Sequence, residues 1–296
     1  MRSLIVLGIV GLIAQLVDGS LGMAYGVTST TLLLTVGIAP AAASAAVHLS
    51  EVGTTLASGI SHWKFGNVDW GKIGWMAVPG GIGAFLGAVV LSSISAEAAQ
   101  PVVAIFLFCL GAYILVRFSF KVSNLITEKP ISGKFLSPLG LVAGFLDAAG
   151  GGGWGPISTP TLLSSGRMQP RKVVGTVDTS EFVVALCASL GFLISLSFAE
   201  IPLGIVVALL IGGVIAAPLA AYLVRLLHPR VLGTAVAGVI LLTNARTFLK
   251  AIGVDPSVNY FVYAAIVAIW LVAIYFALSF ARRDSRPLVG TEANAH

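Results

Sequence analysis

Charged side chains are scarce in this sequence. They make up 10% of the 296 residues, whereas 57% of the residues are hydrophobic and the mean hydropathy is +0.99. Soluble domains carry about 25% charged residues, so this composition excludes a water-soluble globule and requires an apolar solvent. The 34 glycines fit the same conclusion, because small residues let transmembrane helices approach closely.

Cysteines and catalytic motifs are also scarce. The two cysteines, Cys109 and Cys187, lie in apolar runs, which predicts small core hydrophobes rather than a disulfide framework. The sequence contains no HExxH, GxSxG, P-loop or Cys/His metal-ligand pattern. We therefore expect no cofactor, no metal and no enzyme activity, and an intramembrane enzyme is the weakest of the alternatives.

The formal net charge of +5 does not indicate a nucleic-acid partner. The basic residues lie in short loops between apolar runs, and they form no basic stripe with interleaved aromatic residues. The positive-inside rule produces this distribution in membrane proteins. The expected surroundings are therefore a lipid bilayer, and nucleic acid is excluded.

The chain contains an internal duplication. At an offset of 129 residues, Asp18 aligns with Asp147, and several glycines and a Ser-Thr pair align in the same order. After one inserted residue the offset becomes 130, and Glu51 then aligns with Glu181. The duplication predicts a first transmembrane repeat at 1–118 and a second at 135–250, joined by a cytoplasmic linker at 119–134.

Each repeat opens with an apolar run of about thirty residues, Leu4–Val36 and Leu136–Ser165, that glycines interrupt near its middle. One span needs about 20 residues, so each run is long for one span and short for two. Two half-helices that meet near the bilayer midplane fit this length, either as a re-entrant hairpin or as two short spans. The further predicted spans are 40–61, 71–94, 98–118, 170–197, 201–224, 229–250 and 258–281. The last of these lies in a final transmembrane segment, 251–281, ahead of a cytoplasmic tail, 282–296.

The positive charges predict the topology. If each interrupted run enters and leaves on the same face, one side receives only Arg2 and Lys250, and Arg246 lies inside a span. The other side then receives fourteen basic residues: Lys64, Lys72, Arg117, Lys121, Lys129, Lys134, Arg167, Arg171, Lys172, Arg225, Arg230, Arg282, Arg283 and Arg286. The positive-inside rule favours this arrangement, with the N-terminus outside and the C-terminus in the cytoplasm. The repeats are then inverted, as in secondary transporters.

The two copies of Asp-x-x-x-Gly-x-x-x-Gly, at Asp18 and at Asp147, resemble the TauE/SafE sulfite exporter family. Each copy precedes a Ser/Thr run and a Gly and Pro that lead into the next span. The second copy, from Gly150 to Pro160, is the more similar to the family pattern. The resemblance covers about residues 4–280 and implies transport of sulfite, organosulfonates or related sulfur-containing anions. We expect a multi-pass protein of the bacterial inner membrane.

The interrupted helices provide the candidate substrate site. A half-helix N-terminus inside the membrane offers free N–H groups and a favourable dipole to an anion, and hydroxyls beside it can donate to sulfonate oxygens. Simple helix packing is the alternative role for the glycines, as we expect for Gly83 and Gly87, and for the aromatic residues. The candidate binding residues are Gly22, Tyr25, Gly26, Ser29, Thr30, Gly151, Gly152, Gly153, Trp154, Gly155, Ser158 and Thr159.

Six ionisable residues lie within the predicted spans, where an acid costs about 2.5–3.5 kcal/mol on insertion scales. Asp18 and Asp147 either cap the half-helix that follows or take part in transport. The other four share helix faces in pairs and either brace the hairpins or face a vestibule: His48, Glu51, Asp178 and Glu181. Arg246 either attracts an anion or snorkels to the interface. His62 and His228 are assigned to loops without a role.

The membrane potential raises the question of coupling. An inside-negative potential drives an anion outward, whereas anion uptake requires a co-transported cation. Protons on Asp18 and Asp147 are the candidate coupling ions. The alternative function is a transporter or channel for another small solute or a cation that uses the intramembrane carboxylates. The direction of transport and homo-oligomer formation stay open.

Overall fold

The architecture is helical throughout the part of the chain that the structure, a computed structural model, describes: residues 2–120, 130–165, 167–223 and 229–284. The linker prediction falls mainly on residues 121–129 and the tail prediction on 285–296, which lie outside the described residues. The helices are α1 (Arg2–Leu21), α2 (Tyr25–Thr35), α3 (Pro40–Lys64), α4 (Trp70–Ser92), α5 (Ala96–Phe120), α6 (Gly133–Gly150), α7 (Trp154–Ser165), α8 (Pro170–Ser195), α9 (Leu203–Leu223), α10 (Pro229–Ala251) and α11 (Pro256–Asp284).

Within the described ranges, six helices are long and apolar enough to cross a membrane, so the prediction of a multi-pass membrane protein is confirmed. The qualifying segments are Leu4–Leu21, Trp70–Ser92, Ala96–Ser119, Pro170–Ser195, Leu203–Leu223 and Val258–Ala281. Helices α3 and α10 also fall on predicted spans. Pro40 and Pro170 occupy the first turns of α3 and α8, where the fixed φ of proline suits a helix start and its missing N–H costs nothing.

The predicted interruptions occur where the glycines lie. Residues 22–24 separate α1 from α2, and residues 151–153 separate α6 from α7. The two arms of each interrupted run are unequal, with 20 and 11 residues in the first run and 18 and 12 in the second. At 1.5 Å per residue the first arms are about 30 Å long and the second about 17 Å. The prediction of two half-helices in each run is therefore wrong for the first arm, which is long enough to span the membrane, and only the second arm is a half-helix.

The helices of the two predicted repeats interlock. Helix α1 packs on α9 and the equivalent α6 packs on α4, while α3 packs on α9 and the equivalent α8 packs on α4. Helices α3 and α8 also pack on each other, as do α5 and α10. The opening helix of each half therefore packs mainly on a helix of the other half. Helix α11, which has no equivalent in the first half, lies against α10 and α5.

Glycines allow these exchanged helices to touch through their backbones. A Cβ atom added to Gly212 of α9 would overlap the carbonyl oxygen of Gly8 of α1. In the equivalent pair, a Cβ on Gly83 or Gly87 of α4 would overlap the carbonyl of Leu141 or Phe145 of α6. The expected packing role of Gly83 and Gly87 is therefore confirmed, and the two crossings follow the small-residue rule of membrane helices.

Large apolar side chains cover the outside of the bundle. Helix α11 is the extreme case, since only 17% of its apolar segment is buried, and side chains such as Phe261 and Tyr275 project outward. Exposed apolar surface of this extent requires lipid around it. Cys109 also faces outward, so its prediction as a core residue was wrong, whereas Cys187 is half-buried.

Candidate functional site

The two interruptions meet in the middle of the bundle. A Cβ on Gly26 would lie 3.0 Å from the Gly152 Cα, and a Cβ on Gly155 would lie 2.5 Å from the Met23 Cα. The Thr159 hydroxyl donates to the carbonyl oxygen of Gly22. The segment that interrupts one run therefore packs directly on the segment that interrupts the other, and glycine is what permits the contact.

The backbone turns sharply at both interruptions. In the second, Gly151 has φ 73° and Gly152 has φ 146°, values that suit glycine because it lacks a Cβ. In the first, Gly22 has φ 67°, but the second left-handed residue is Ala24, with φ 97°. A left-handed alanine is strained by about 1–2 kcal/mol, so the first interruption is the less relaxed of the two.

Aspartates from the preceding helices cap both half-helices. Asp18 Oδ1 accepts a hydrogen bond from the Tyr25 backbone N–H over 3.2 Å. Asp147 Oδ1 accepts from the Gly153 and Trp154 N–H groups over 2.7 and 3.0 Å. The capping interpretation is thus confirmed in geometry, although the carboxylates reach from six or seven residues upstream. The same bonds correct part of the expectation of free N–H groups, because an acid already engages one N–H group at α2 and two at the start of α7.

The aromatic candidates anchor the half-helices to neighbouring helices. The Trp154 indole donates to the Val177 carbonyl over 3.0 Å, and a Cβ on Gly80 would lie 2.6 Å from its ring. The Tyr25 hydroxyl lies 3.1 Å from Ser50 Oγ and donates to the Leu209 carbonyl over 3.3 Å. These bonds favour the packing role over a pocket wall, since both side chains are buried among α3, α4, α8 and α9.

The hydroxyl candidates lie on the two half-helices that begin at the meeting point. Ser29 and Ser158, which occupy equivalent positions, are fully buried, and neither hydroxyl has a hydrogen-bond partner among the described residues. Thr30 Oγ1 is also buried and unpartnered, and it faces Gly151 as Thr159 faces Gly22. Buried hydroxyls normally find partners. Three unsatisfied donors at the crossing therefore mark a place where a polar group can bind.

One set of ionisable residues gathers behind the second interruption, and we name it the histidine cluster: His48, Glu51 and Asp147. His48 Nε2 lies 3.0 Å from Asp147 Oδ2 and 3.8 Å from Glu51 Oε2. Its Nδ1 lies 2.8 Å from the Ser44 carbonyl oxygen. One imidazole thus contacts both acids and fixes the carboxylate that caps α7, which matches the bracing role considered for His48 and Glu51.

A second set gathers behind the first interruption, and we name it the acid cluster: Asp18, Asp178 and Glu181. One carboxylate oxygen of each residue lies within 4.8 Å of the others. At positions 129 and 130 residues apart, Asp18 corresponds to Asp147, Asp178 to His48, and Glu181 to Glu51. The two clusters are therefore equivalent sites, and each combines residues from both halves of the chain.

Neither cluster faces a vestibule. The six side chains are all buried, with relative exposures of 5% or less. The vestibule interpretation of His48, Glu51, Asp178 and Glu181 is therefore wrong for this conformation, because the exchanged helices cover both clusters.

Comparison with known proteins gives the family. A family model described as sulfite exporter TauE/SafE matches residues 7–247. The chain belongs to this family. It is also 52% identical over 298 residues to the probable membrane transporter protein YtnM of Bacillus subtilis (strain 168), with 100% of this chain and 99% of the relative covered. No solved structure matches. Family and relative support a membrane transporter rather than an enzyme.

This TauE/SafE chain has polar residues near the acid cluster that sequence reasoning missed. His62 lies in the last turn of α3 and is fully buried, with Nε2 3.8 Å from Asp178 Oδ2. Its assignment to a loop without a role was wrong, whereas His228 lies outside the described residues. Ser58 of the same helix faces the Asp178 carboxyl group. The helical spacing of four between Ser58 and His62 was a signal for a shared helix face.

A shallow cavity lies away from the clusters, at the far ends of α2 and α10. It has a volume of about 50 Å³, and Arg246, Lys250, Gln100 and Thr247 are among its lining residues. The Arg246 side chain is exposed. This position at a helix end fits both an anion-attracting role and snorkelling, and it places Arg246 outside the buried site.

Proposed function

We propose that this protein is a secondary transporter of a small sulfur-containing oxoanion, such as sulfite or an organosulfonate, bound where the two interruptions cross. The substrate class follows from the family description and from the resemblance of the two Asp-x-x-x-Gly-x-x-x-Gly copies. The observation that supports the location is the buried, unpartnered hydroxyl of Thr30, which faces Gly151 at the crossing, together with those of Ser29 and Ser158 on the same two half-helices. Ser29, Thr30 and Ser158 donate to the anion oxygens, and the half-helix dipoles favour negative charge.

Substrate binding depends on the protonation of the capping aspartates. Asp18 and Asp147 hold N–H groups of the half-helices, which an anion at the crossing would also use. Two carboxylates beside an anion repel it in a medium of low dielectric constant. Protonation of an aspartate weakens its hold on the N–H groups and removes the repulsion. Proton–anion symport is the coupling that this competition supports.

The described conformation is closed at the crossing, because the backbones of the two interruptions are in contact. Substrate entry therefore requires the interruptions to separate. The exchanged packing of α1 on α9 and of α6 on α4 provides two similar interfaces for such a movement. Together with the charge distribution, it supports inverted repeats that rock around a central site.

Reconstituted protein tests the substrate and the site together. Sulfite flux into proteoliposomes should saturate, and the double variant Ser29→Ala/Ser158→Ala should raise the KM for sulfite at least tenfold. A hydrogen bond to a charged group contributes about 1.5–3 kcal/mol, and about 1.4 kcal/mol corresponds to tenfold. Ser93→Ala at the exposed end of α4 is the matched control and should leave KM unchanged. An unchanged KM in the double variant would exclude the crossing as the site.

The same vesicles test coupling. A pH gradient at zero membrane potential should drive sulfite accumulation by the wild type and less accumulation by Asp18→Asn or Asp147→Asn. The absence of accumulation by the wild type would contradict proton–anion symport and favour a uniport-like exporter or coupling to another cation.

The inverted arrangement predicts a labelling pattern in a Cys109→Ser/Cys187→Ser background. Single cysteines at Ser123 and Ser285, both outside the described residues, should resist a membrane-impermeant maleimide in intact cells. A cysteine at Ser95, in the short connection between α4 and α5, should react, because the charge distribution places that connection outside. The opposite pattern would reverse the topology, and equal labelling at all three sites would contradict it.

A further inference from the structure

We propose that the acid cluster is a binding site for a metal cation of the Na⁺ class, with Asp18, Asp178, Glu181 and the Ser58 hydroxyl as its oxygen ligands. Hard cations prefer carboxylate and hydroxyl oxygens, and every atom of this set is of that kind. The binding claim does not depend on which anion the protein carries. Only the role of the cation in coupling rests on the proposed transport function.

The charges of the acid cluster require compensation. Oxygens of three carboxylates lie within 4.8 Å of one another, and the residues are exposed by only 1%, 0% and 5%. Like charges at this separation repel strongly where the dielectric constant is low, and unpaired buried charges are costly in a membrane. The two oxygens of Asp178 and Oδ2 of Asp18 have no hydrogen-bond partner among the described residues. These oxygens are available to a cation.

Ser58 gives independent support. It belongs to α3, is fully buried, and faces the Asp178 carboxyl group from the opposite half of the chain. Its hydroxyl makes no geometrically acceptable hydrogen bond within the described ranges. A buried hydroxyl this close to a carboxyl group becomes a further oxygen ligand when a cation binds between them.

In the histidine cluster a residue of the chain itself compensates the charge of the buried carboxylates. There the residue equivalent to Asp178 is His48, whose Nε2 lies within 4 Å of both acids of its cluster. A protonated imidazole in that position supplies the positive charge from the chain itself. In the acid cluster a carboxylate stands at the equivalent position, so the compensating charge comes from bound protons or from a metal cation, and the Ser58 hydroxyl beside Asp178 gives a metal cation a fourth oxygen ligand.

His62 does not replace that ligand. Its Nε2 lies 3.8 Å from a single oxygen, Asp178 Oδ2, and its Nδ1 lies 3.2 Å from the Asn67 amide nitrogen. Even a charged His62 therefore contacts one acid of three, and Asp18 and Glu181 have no positively charged side chain within 4.0 Å among the described residues. A buried set of only four protein oxygens favours Na⁺ over Mg²⁺, which keeps several waters, and over Ca²⁺, which takes six to eight oxygen ligands.

Asp18 connects the cation to the anion site. Its Oδ1 caps α2 at the crossing, while its Oδ2 is unpartnered and belongs to the acid cluster. A cation bound there reduces the negative charge that Asp18 presents to an anion at the crossing. Cation binding thus favours anion binding, which is the reciprocal linkage that symport requires.

Thermal unfolding of the purified protein tests cation binding without any anion substrate. The midpoint should rise by about 5 °C or more when Na⁺ replaces choline at constant ionic strength and pH, because a ligand that binds only the folded state stabilises it. Asp178→Asn and Glu181→Gln should abolish this rise. Glu51→Gln, the equivalent change in the histidine cluster, should retain it.

A charge exchange between the clusters gives the sharper result. Asp178→His places an imidazole in the acid cluster and should remove the Na⁺ response, whereas His48→Asp should create a second cation site and enlarge the response. If Asp178→Asn does not fold, the proposal is tested by the Na⁺ response of Glu181→Gln and by the response of the wild type to Na⁺ and to divalent ions.

The proposal is overturned by a wild type that does not respond to Na⁺ between pH 5 and 9, by a response to divalent ions alone, or by equal loss in Glu51→Gln. Saturable sulfite flux without a Na⁺ response would refute this site and leave the proposed function intact. A Na⁺ response without sulfite flux would support this site and refute the proposed function.

Discussion

The two interrupted helices align with each other in sequence but differ in how well the surrounding residues stabilise them. At the second, Asp147 accepts two backbone N–H groups and also contacts His48, and the turn itself is built from three glycines. At the first, Asp18 accepts one longer bond and leaves its other oxygen without a partner. The turn there contains Ala24 with a left-handed φ of 97°.

This difference shows that two interruptions with aligned sequences need not be equally stable. The second interruption is relaxed and well bonded, so it acts as the fixed side of the site. The first combines backbone strain with an incompletely bonded cap, so less free energy is needed to change its conformation. We expect the first interruption, with the acid cluster behind it, to move more during transport.

The largest effect is expected at the fixed side. Gly152→Ala should lower the free energy of unfolding by about 2–5 kcal/mol, because the new Cβ meets the Val27 nitrogen and the φ of 146° disfavours a side chain. Gly37→Ala is the control, since its φ is 90° but nothing lies within 4 Å of the added atom. Thermal unfolding in detergent measures both. Equal losses would mean that backbone conformation, and not the contact between the interruptions, explains the glycine.

A smaller effect should distinguish the caps. Asp147→Asn should destabilise the protein by about 2–3 kcal/mol, since hydrogen bonds to charged groups contribute about 1.5–3 kcal/mol and the His48 contact weakens as well. Asp18→Asn should cost about 1 kcal/mol or less, because it loses one long bond and relieves repulsion from Asp178 and Glu181. Unfolding midpoints at low Na⁺ concentration test the order. A larger loss for Asp18→Asn would refute the ranking of the two interruptions.

The smallest effect should have the opposite sign. Ala24→Gly should stabilise the protein by about 0.5–1 kcal/mol, because relief of the left-handed alanine exceeds the entropy that glycine adds to the unfolded chain. Ala98→Gly, on the exposed first turn of α5, should destabilise by about 0.5–1 kcal/mol. Destabilisation by Ala24→Gly would show that the first interruption is not strained. If the first interruption is the moving part, sulfite turnover should also change in Ala24→Gly.

Much of this architecture was predictable from the duplicated sequence. The offset between Asp18 and Asp147 located both interruptions and their caps, because equivalent residues in a duplicated fold take equivalent positions. Apolar runs separated by charged connections located the spans, including the long α11. These features depend on neighbours along the chain, so the sequence alone determines them.

Contacts between distant segments were not predictable in the same way. A Gly-x-x-x-Gly pair indicates that a helix is approached closely, but it does not say that the partner of α1 is α9. Because the helices are exchanged, Asp147 meets His48 and Glu51 rather than Asp178 and Glu181 of its own half. The reach of these caps was not predictable either, since Asp18 and Asp147 lie six or seven residues upstream of the N–H groups they accept from, whereas usual caps lie next to the helix start.

The exchange of helices also delays the packing of α1 during assembly in the membrane. Helix α1 is made first, yet the helix on which it packs, α9, ends at Leu223. At 5–20 residues per second, roughly two hundred further residues take about 10–40 s to synthesise. During that interval α1 lacks its partner helix α9. Gln15 and Asp18, which are buried in the folded protein, are then not yet covered by the second half of the chain. The insertion machinery or a lipid headgroup has to shelter these polar groups until the second half of the chain arrives.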